Sequence, residues 1–328
     1  MTLPNLDLAH YQGRRALITG GLGFIGSNLA HRLVVLGAEV TVLDHMSRKD
    51  VESLRGLEGI ENKITMVVDD IRNLDRLKTI VPSMDVIFNL AGQVSYTDSL
   101  ADPRRDFDVS CLGQLSILEA CRLTAAKTRI IFASSRMVYR RNPALPVTEN
   151  EPTEPLTIYA VHKLTAEQYH RLYYDVYGIP SASLRITNPY GPRQRANAGK
   201  HGLVNWFIKL ASRGEQLSIF GDGAQTRDYI YIDDLVEMFL RVGLLPQLKG
   251  QVYNAGRGEG VKFRDMAEAV IAATGSGSIK YVPWPENYAR FETGNFVPDV
   301  SRLANDIQYT AMTTLADGLE RTVRYYRS

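Results

Sequence analysis

Residues 15–26, Arg15-Ala16-Leu17-Ile18-Thr19-Gly20-Gly21-Leu22-Gly23-Phe24-Ile25-Gly26, pass from a short apolar run directly into a glycine loop. The next eleven residues, SNLAHRLVVLG, carry a helical pattern closed by Gly37. In that setting the first glycines permit a tight turn out of a strand, and Gly23 lets backbone N–H groups approach a pyrophosphate. Gly26 then allows close packing of the helix. The helix N-terminus adds partial positive charge at the same point. Strand, loop and helix in this order predict a dinucleotide-binding βαβ unit.

Working outward, the second apolar run, EVTVL, leads into Asp44, about 20 residues beyond the loop, where a carboxylate holds a ribose diol. The same charge repels a 2′-phosphate, so Asp44 favours NAD over NADP; Arg48 and Lys49, close behind, are the residues that would oppose this preference. Further β-branched runs follow: KITMVV, DVIFNL, RIIFAS and SASLRI, each separated by enough chain for a crossover helix. Runs apolar on both faces are those of parallel strands covered on each side. The predicted fold class is therefore α/β, a doubly wound parallel sheet of the Rossmann type.

After Asn188 the pattern loosens into PYGPRQRANAGKHG, and the remainder mixes a helix (LVNWFIKLASRG), a strand and turn (LSIFGDG), a helix starting near Asp233, and the stretch VPWPENYARF. The expected division is a dinucleotide-binding domain over 1–187, with 226–256 returning to it, and a smaller C-terminal α/β substrate-binding domain over 188–225 and 257–328.

Composition narrows the function classes. The 38 basic and 36 acidic side chains leave a formal charge of +2, which gives no general attraction to nucleic acid or to a membrane surface. Neither partner is expected. Cys111 and Cys121, in SCLGQLSILEACR, read as two small buried thiols on one amphipathic helix; their spacing suits neither a disulfide framework nor zinc, so no metal is expected. The N-terminal stretch MTLPNLDLAHYQGRR has no signal-like apolar run, and no window reaches about 18 apolar residues. A cytoplasmic protein is expected.

Tyr159 and Lys163 stand four residues apart in YAVHK, on one face of a helix expected to run to Gly178. A free phenol, with a pKa of about 10, is a poor base at neutral pH, and a neighbouring ammonium together with a positive nicotinamide favours phenolate. Strand RIIFAS ends in Ser134-Ser135 about 24 residues earlier, at the sheet edge where ligands of such folds bind. Ser135 can hydrogen-bond the reacting oxygen.

With these parts in order, the chain resembles the extended short-chain dehydrogenase/reductases, the group of NAD-dependent nucleotide-sugar epimerases and dehydratases. The resemblance spans almost the whole chain: TGGLGFIG, Asp44, VDDI, NLAGQVS, SSRMVY, YAVHK, LRITNPYGPRQ, FGDGAQTRDYIYIDDL and YNAG. It implies NAD contacts at Gly20, Gly23, Phe24, Ile25, Gly26, Asp44, Asp70 at the adenine, Ile71, Leu90 and Ala91, together with Tyr159 and Lys163. For the substrate it implies Ser95, Ser135, Asn188, Arg227 and Arg290, the last three near a diphosphate, for which the forked donors of arginine are suited. Arg136 and Arg195 are two further cations expected to face the pocket, where they would suit a carboxylate such as that of a uronic acid. The helices around SCLGQLSILEAC and YAVHKLTAEQYHRLYYDVYG resemble those that form a dimer bundle in this group, which implies a homodimer.

Family dehydratases and decarboxylases carry an acid two residues after the catalytic Ser or Thr. Met137 stands there in this chain and cannot move a proton. Epimerisation is favoured instead: a hydride is taken by NAD, the keto sugar turns over, and the hydride returns to its other face. The leading expectation is a nucleoside-diphosphate-sugar epimerase, a UDP-sugar 4-epimerase. Its rivals are an epimerase at another carbon, such as a CDP-sugar 2-epimerase, a UDP-uronic acid 4-epimerase, a dehydratase or reductase, and a non-catalytic dinucleotide-binding protein. Ser110, where the family usually has Asn, and Arg140, where it has Gly, point to an unusual sugar pocket.

Overall fold

The computed structural model describes residues 6–46, 54–195 and 202–327; Arg48 and Lys49 lie outside them. The six expected strands form as β1 (Arg15–Thr19), β2 (Glu39–Asp44), β3 (Ile64–Val68), β4 (Val86–Asn89), β5 (Arg129–Ser135) and β6 (Ser181–Ile186). Four short strands follow: β7 (Asn188–Tyr190), β8 (Gln216–Phe220), β9 (Thr226–Arg227) and β10 (Tyr229–Tyr231). The chain then returns through β11 (Gln251–Ala255) and continues with β12 (Val261–Lys262) and β13 (Ser278–Val282).

A seven-stranded sheet in the order β11-β6-β5-β4-β1-β2-β3 results, parallel throughout. Successive side chains of a strand point to opposite faces. Ala16 and Ile18 accordingly enter one core cluster and Leu17 the other, and Ile131 and Ile130 of β5 divide in the same way. The helices Phe24–Val35 and Ile232–Leu244 supply Leu29, Leu33, Leu235 and Phe239 to the first cluster; Leu74–Ile80, Gly113–Leu123 and Ile158–Tyr177 supply Leu77, Ile117 and Tyr173 to the second. A smaller C-terminal α/β lobe pairs β8 with β13 and packs the helix Phe263–Thr274 against Leu203–Ala211 and Leu315–Arg327. No helix among the described residues is long and apolar enough to cross a membrane.

The chain leaves β1 toward β2 and β3 on one side and continues from β4 toward β5 and β6 on the other. Between β1 and β4 the sheet therefore opens a crevice at its C-terminal edge, the topological switch point where ligands of doubly wound folds sit. Close packing there demands glycine. A Cβ on Gly20, at φ +68°, would lie 2.9 Å from the Ala91 backbone, and one on Gly26 would lie 2.5 Å from the Gly20 carbonyl oxygen. One expected element differs in detail: SCLGQLSILEACR begins in a π-helical turn, Asp108–Leu112, before the helix Gly113–Leu123. Cys111 and Cys121 are both buried and free.

A buried polar knot fastens the Ile158–Tyr177 helix to the sheet. Glu167 accepts from Arg185 of β6 at 2.8 and 3.0 Å and from the Ser134 hydroxyl of β5 at 2.5 Å. The two charged side chains are 1% and 6% exposed, so neither can turn to water if its partner is lost. Removing one partner of such a pair costs about 3–5 kcal/mol because the other charge stays buried. Glu167→Gln is expected to lose stability of this order in urea denaturation; a change under about 1 kcal/mol would show that Arg185 finds other compensation.

Candidate active site

The crevice continues into a cleft of about 1440 Å³ between the sheet edge and the C-terminal lobe. Pockets for one small molecule run to about 300–1,000 Å³, so this one has room for two ligands side by side. Its sheet-side wall holds Gly20, Gly23, Phe24, Ile25, Gly26, Asp44, Asp70, Ile71, Leu90 and Ala91 together. Gly23 caps the Phe24–Val35 helix without any side-chain acceptor, which leaves the first-turn N–H groups facing the cleft for an anion. Asp44 accepts from the Leu22 and Met46 amides, each at 3.2 Å, so its carboxylate also ties down the glycine loop. Arg72 grips the Asp70 carboxylate at 2.7 and 2.9 Å and holds its pKa below the usual range. Thr19 accepts the amides of Leu90 and Ala91, fixing the opposite lip. Glycine cradle, open helix terminus and a carboxylate at the end of β2 fit a dinucleotide.

Ser135, at the end of β5, and Tyr159 and Lys163, on the helix capped by Thr157, meet in the middle of the cleft. Burial pushes the Tyr159 phenol up to about 12, and a hydrogen bond from Ser135 and the charge of Arg136 pull it back. Lys163 is 5% exposed and donates to the Ala133 carbonyl at 2.8 Å, its ammonium 5.9 Å from the Tyr159 ring centre. Burial brings its pKa down to about 8, against the pull of Asp106 and Glu167. The expected pairing of ammonium and phenol is thus present as a neighbourhood, with the carboxylate of Asp106 and the guanidinium of Arg136 acting on the phenol in opposite directions.

Toward the C-terminal lobe the cleft is lined by Arg136, Asn188, Arg195 and Arg227. Arg227 is held by Glu292 and the Gly294 carbonyl, and Asn188 donates to the Asp228 carbonyl at 2.7 Å. Two expected substrate contacts lie elsewhere. Ser95 is 1% exposed and caps the Tyr96–Ala101 helix, accepting from the Asp98 amide, because a helix start requires such an acceptor there. Arg290 is exposed and outside the cleft lining; its carbonyl accepts from Arg141.

Sequence reasoning missed the aromatic pair Phe220 and Trp284 in the cleft lining, with ring centres 5.4 Å apart. The tryptophan of VPWPENYARF was its available signal. It also missed Asp106, which is 1% exposed, 2.5 Å from His162 Nδ1, and has its other carboxylate oxygen without a partner. Its negative charge supports the Lys163 ammonium. Asp106→Asn is expected to lower the Lys163 pKa from about 8, so that the alkaline limb of the turnover profile moves to lower pH. An unmoved limb would show that Asp106 does not act on Lys163.

The description of the NAD dependent epimerase/dehydratase family matches residues 16–256. A UDP-glucose 4-epimerase of Mycolicibacterium smegmatis is 33% identical over 317 residues, 96% of this chain and 99% of that protein. A UDP-N-acetyl-alpha-D-glucosaminuronate decarboxylase of Bacillus cytotoxicus is 30% identical over 324 residues, 96% of this chain and 98% of that one. Among solved structures, the UDP-glucose 4-epimerase of Thermotoga maritima with UDP-glucose superposes with a TM-score of 0.87 at 29% identity, covering 95% of this chain and 98% of its own. The chain belongs to the NAD dependent epimerase/dehydratase family, and NAD is the cofactor for which its glycine loop is built.

Proposed function

We propose that this enzyme is a nucleoside-diphosphate-sugar 4-epimerase acting on a UDP-sugar. The observation that carries the reading is what stands around Ser135 and Tyr159: Met137 lines the cleft at the position where an acid would move a proton at the carbon next to the ketone for water to leave. Glu292, a carboxylate of the cleft lining toward the C-terminal lobe, is engaged by Arg227. Bound NAD supplies a reversible hydride acceptor and a positive ring. The protein's own work is proton transfer and orientation. Tyr159 takes the proton of the sugar hydroxyl and gives it back; Ser135 orients that oxygen; Arg136 opposes the burial that otherwise keeps the phenol neutral, and the Lys163 ammonium stands beside the ring.

Gly20, Gly23, Phe24, Ile25, Gly26, Asp44, Asp70, Ile71, Leu90 and Ala91 hold the cofactor in this reading. Asn188, Arg195 and Arg227 take the substrate diphosphate, and the aromatic pair Phe220 and Trp284 receives the base. The lobe over 188–225 and 257–328 thus serves as the substrate-binding domain and 1–187, with 226–256, as the NAD-binding domain. Buried free thiols suit a cytoplasmic location.

A homodimer is part of the proposal. Val161, Leu172 and Val176 form an exposed stripe along the Ile158–Tyr177 helix, and Leu112 and Leu123 are exposed on its neighbour. A contiguous exposed apolar patch marks a site of protein contact. Light scattering is expected to give twice the chain mass, and Leu172→Glu with Val176→Glu to give the monomer; a monomeric parent would exclude the bundle.

The activity is tested by following UDP-sugars with the NAD-loaded enzyme by proton NMR. Interconversion of C4 epimers with no net NADH is expected, and Tyr159→Phe is expected to reduce kcat by about 10²–10⁴-fold, the usual contribution of a positioned acid or base. Loss of water or carbon dioxide, or stoichiometric NADH, would overturn the reading.

A further inference from the structure

The edge of the sheet opposite the cleft gathers positive charge. Because the strands are parallel, the segments that lead into β1, β4, β5, β6 and β11 meet at one end, about 20 Å from the C-terminal edge by the rise of β5. They enclose a cavity of about 1040 Å³, ample for one small molecule. Five cations line it, Arg14, Arg15, Lys127, Arg129 and Lys249, against one carboxylate, Asp85. Asp85 is taken by Arg15, whose guanidinium stands 3.6 Å away and whose amide donates to it at 2.8 Å. Among the described residues no carboxylate pairs with the other four cations.

Arg129 points to what the cavity takes. It is half-buried; its Nη2 donates to the Leu245 carbonyl, while its Nε is shut off from water without a partner. Burial and the nearby Arg14 hold its pKa below the usual guanidinium range. A buried donor left unpaired and like charges held together both cost the fold free energy, and an anion removes both costs. Five cations against one carboxylate leave four positive charges here, twice the +2 of the whole chain, so the rest of the molecule is net negative. Such a surround repels an extended polyanion, a nucleic acid or an acidic membrane, and favours a compact one that enters the cavity. Beside the cations the walls carry Tyr174, Pro180, Pro246 and Leu248, which offer apolar contact to a ring. Forked donors for phosphate together with a place for a ring describe a nucleotide. We propose that this cavity is a second ligand site, separate from the cleft, that binds a nucleoside polyphosphate. Its phosphates lie on Arg14, Lys127, Arg129 and Lys249, and its base lies against Tyr174 and the prolines.

The test is isothermal calorimetry with ATP and with tripolyphosphate on the full-length protein, with NAD and UDP in excess to occupy the cleft. ATP is expected to saturate a single site, at least about threefold more tightly than tripolyphosphate. Lys127→Glu with Lys249→Glu exchanges two exposed side chains and leaves the core untouched. This double variant is expected to weaken ATP binding at least about tenfold while NAD affinity stays within about twofold. No binding of ATP at about 1 mM overturns the inference. An ATP affinity that the double variant leaves unchanged also overturns it, by placing the nucleotide in the cleft. Equal affinities for ATP and tripolyphosphate overturn the nucleoside assignment. Cosedimentation with phosphatidylserine vesicles that the double variant abolishes and ATP does not displace overturns it as well, by giving this face to a membrane. Each of these results leaves the 4-epimerase reading standing.

Discussion

The ammonium of Lys163 is the interaction on which the site depends. It is withdrawn from water, tied to the Ala133 carbonyl at the end of β5, and backed by the buried carboxylate of Asp106. A lysine in such a place keeps its charge only while those partners stay where they are. The rest of the fold can be read as what keeps them there. The Glu167–Arg185–Ser134 knot fastens the same helix one turn further along, and the sheet delivers Ala133 and Ser135 side by side. Stability and catalysis are coupled here, because the strand end that presents the hydroxyl also anchors the cation.

Local chemistry made much of this legible in the sequence. The glycine loop, the six β-branched runs and the Tyr-x-x-x-Lys spacing each depend on neighbours a few residues away, and each has the structure that such patterns dictate. The cap at Ser95 illustrates the opposite case: its motif suggested a substrate contact, but the helix it starts takes its hydroxyl first. Asp106, Phe220 with Trp284, and the hold of Glu292 on Arg227 join residues from distant parts of the chain, and no spacing rule places them. The effect of burial on Tyr159 was hidden for the same reason. Its phenol is pushed to about 12 by surroundings contributed from several segments, whereas sequence alone offered only the lysine one turn away.

Chemical selectivity follows from what surrounds the reacting carbon as much as from the groups that act on it. A Ser/Tyr/Lys set oxidises and reduces a carbinol, and whether the keto sugar then loses a group depends on a nearby acid. Met137 removes that option at its position, and Arg136 makes the same neighbourhood positive. A fold shared with dehydratases and decarboxylases is thereby turned toward a reaction in which the sugar keeps all its atoms, and side chains decide this where the fold does not.

Isotopic labelling tests this most directly. A UDP-sugar carrying deuterium on C4 of the sugar, incubated with the NAD-loaded enzyme in ordinary water, is predicted to give the C4 epimer with the deuterium still on C4 and no solvent hydrogen at C3 or C5. Wash-out of the label, or exchange at a neighbouring carbon, would mean that the reaction runs through proton abstraction from carbon and would contradict the account.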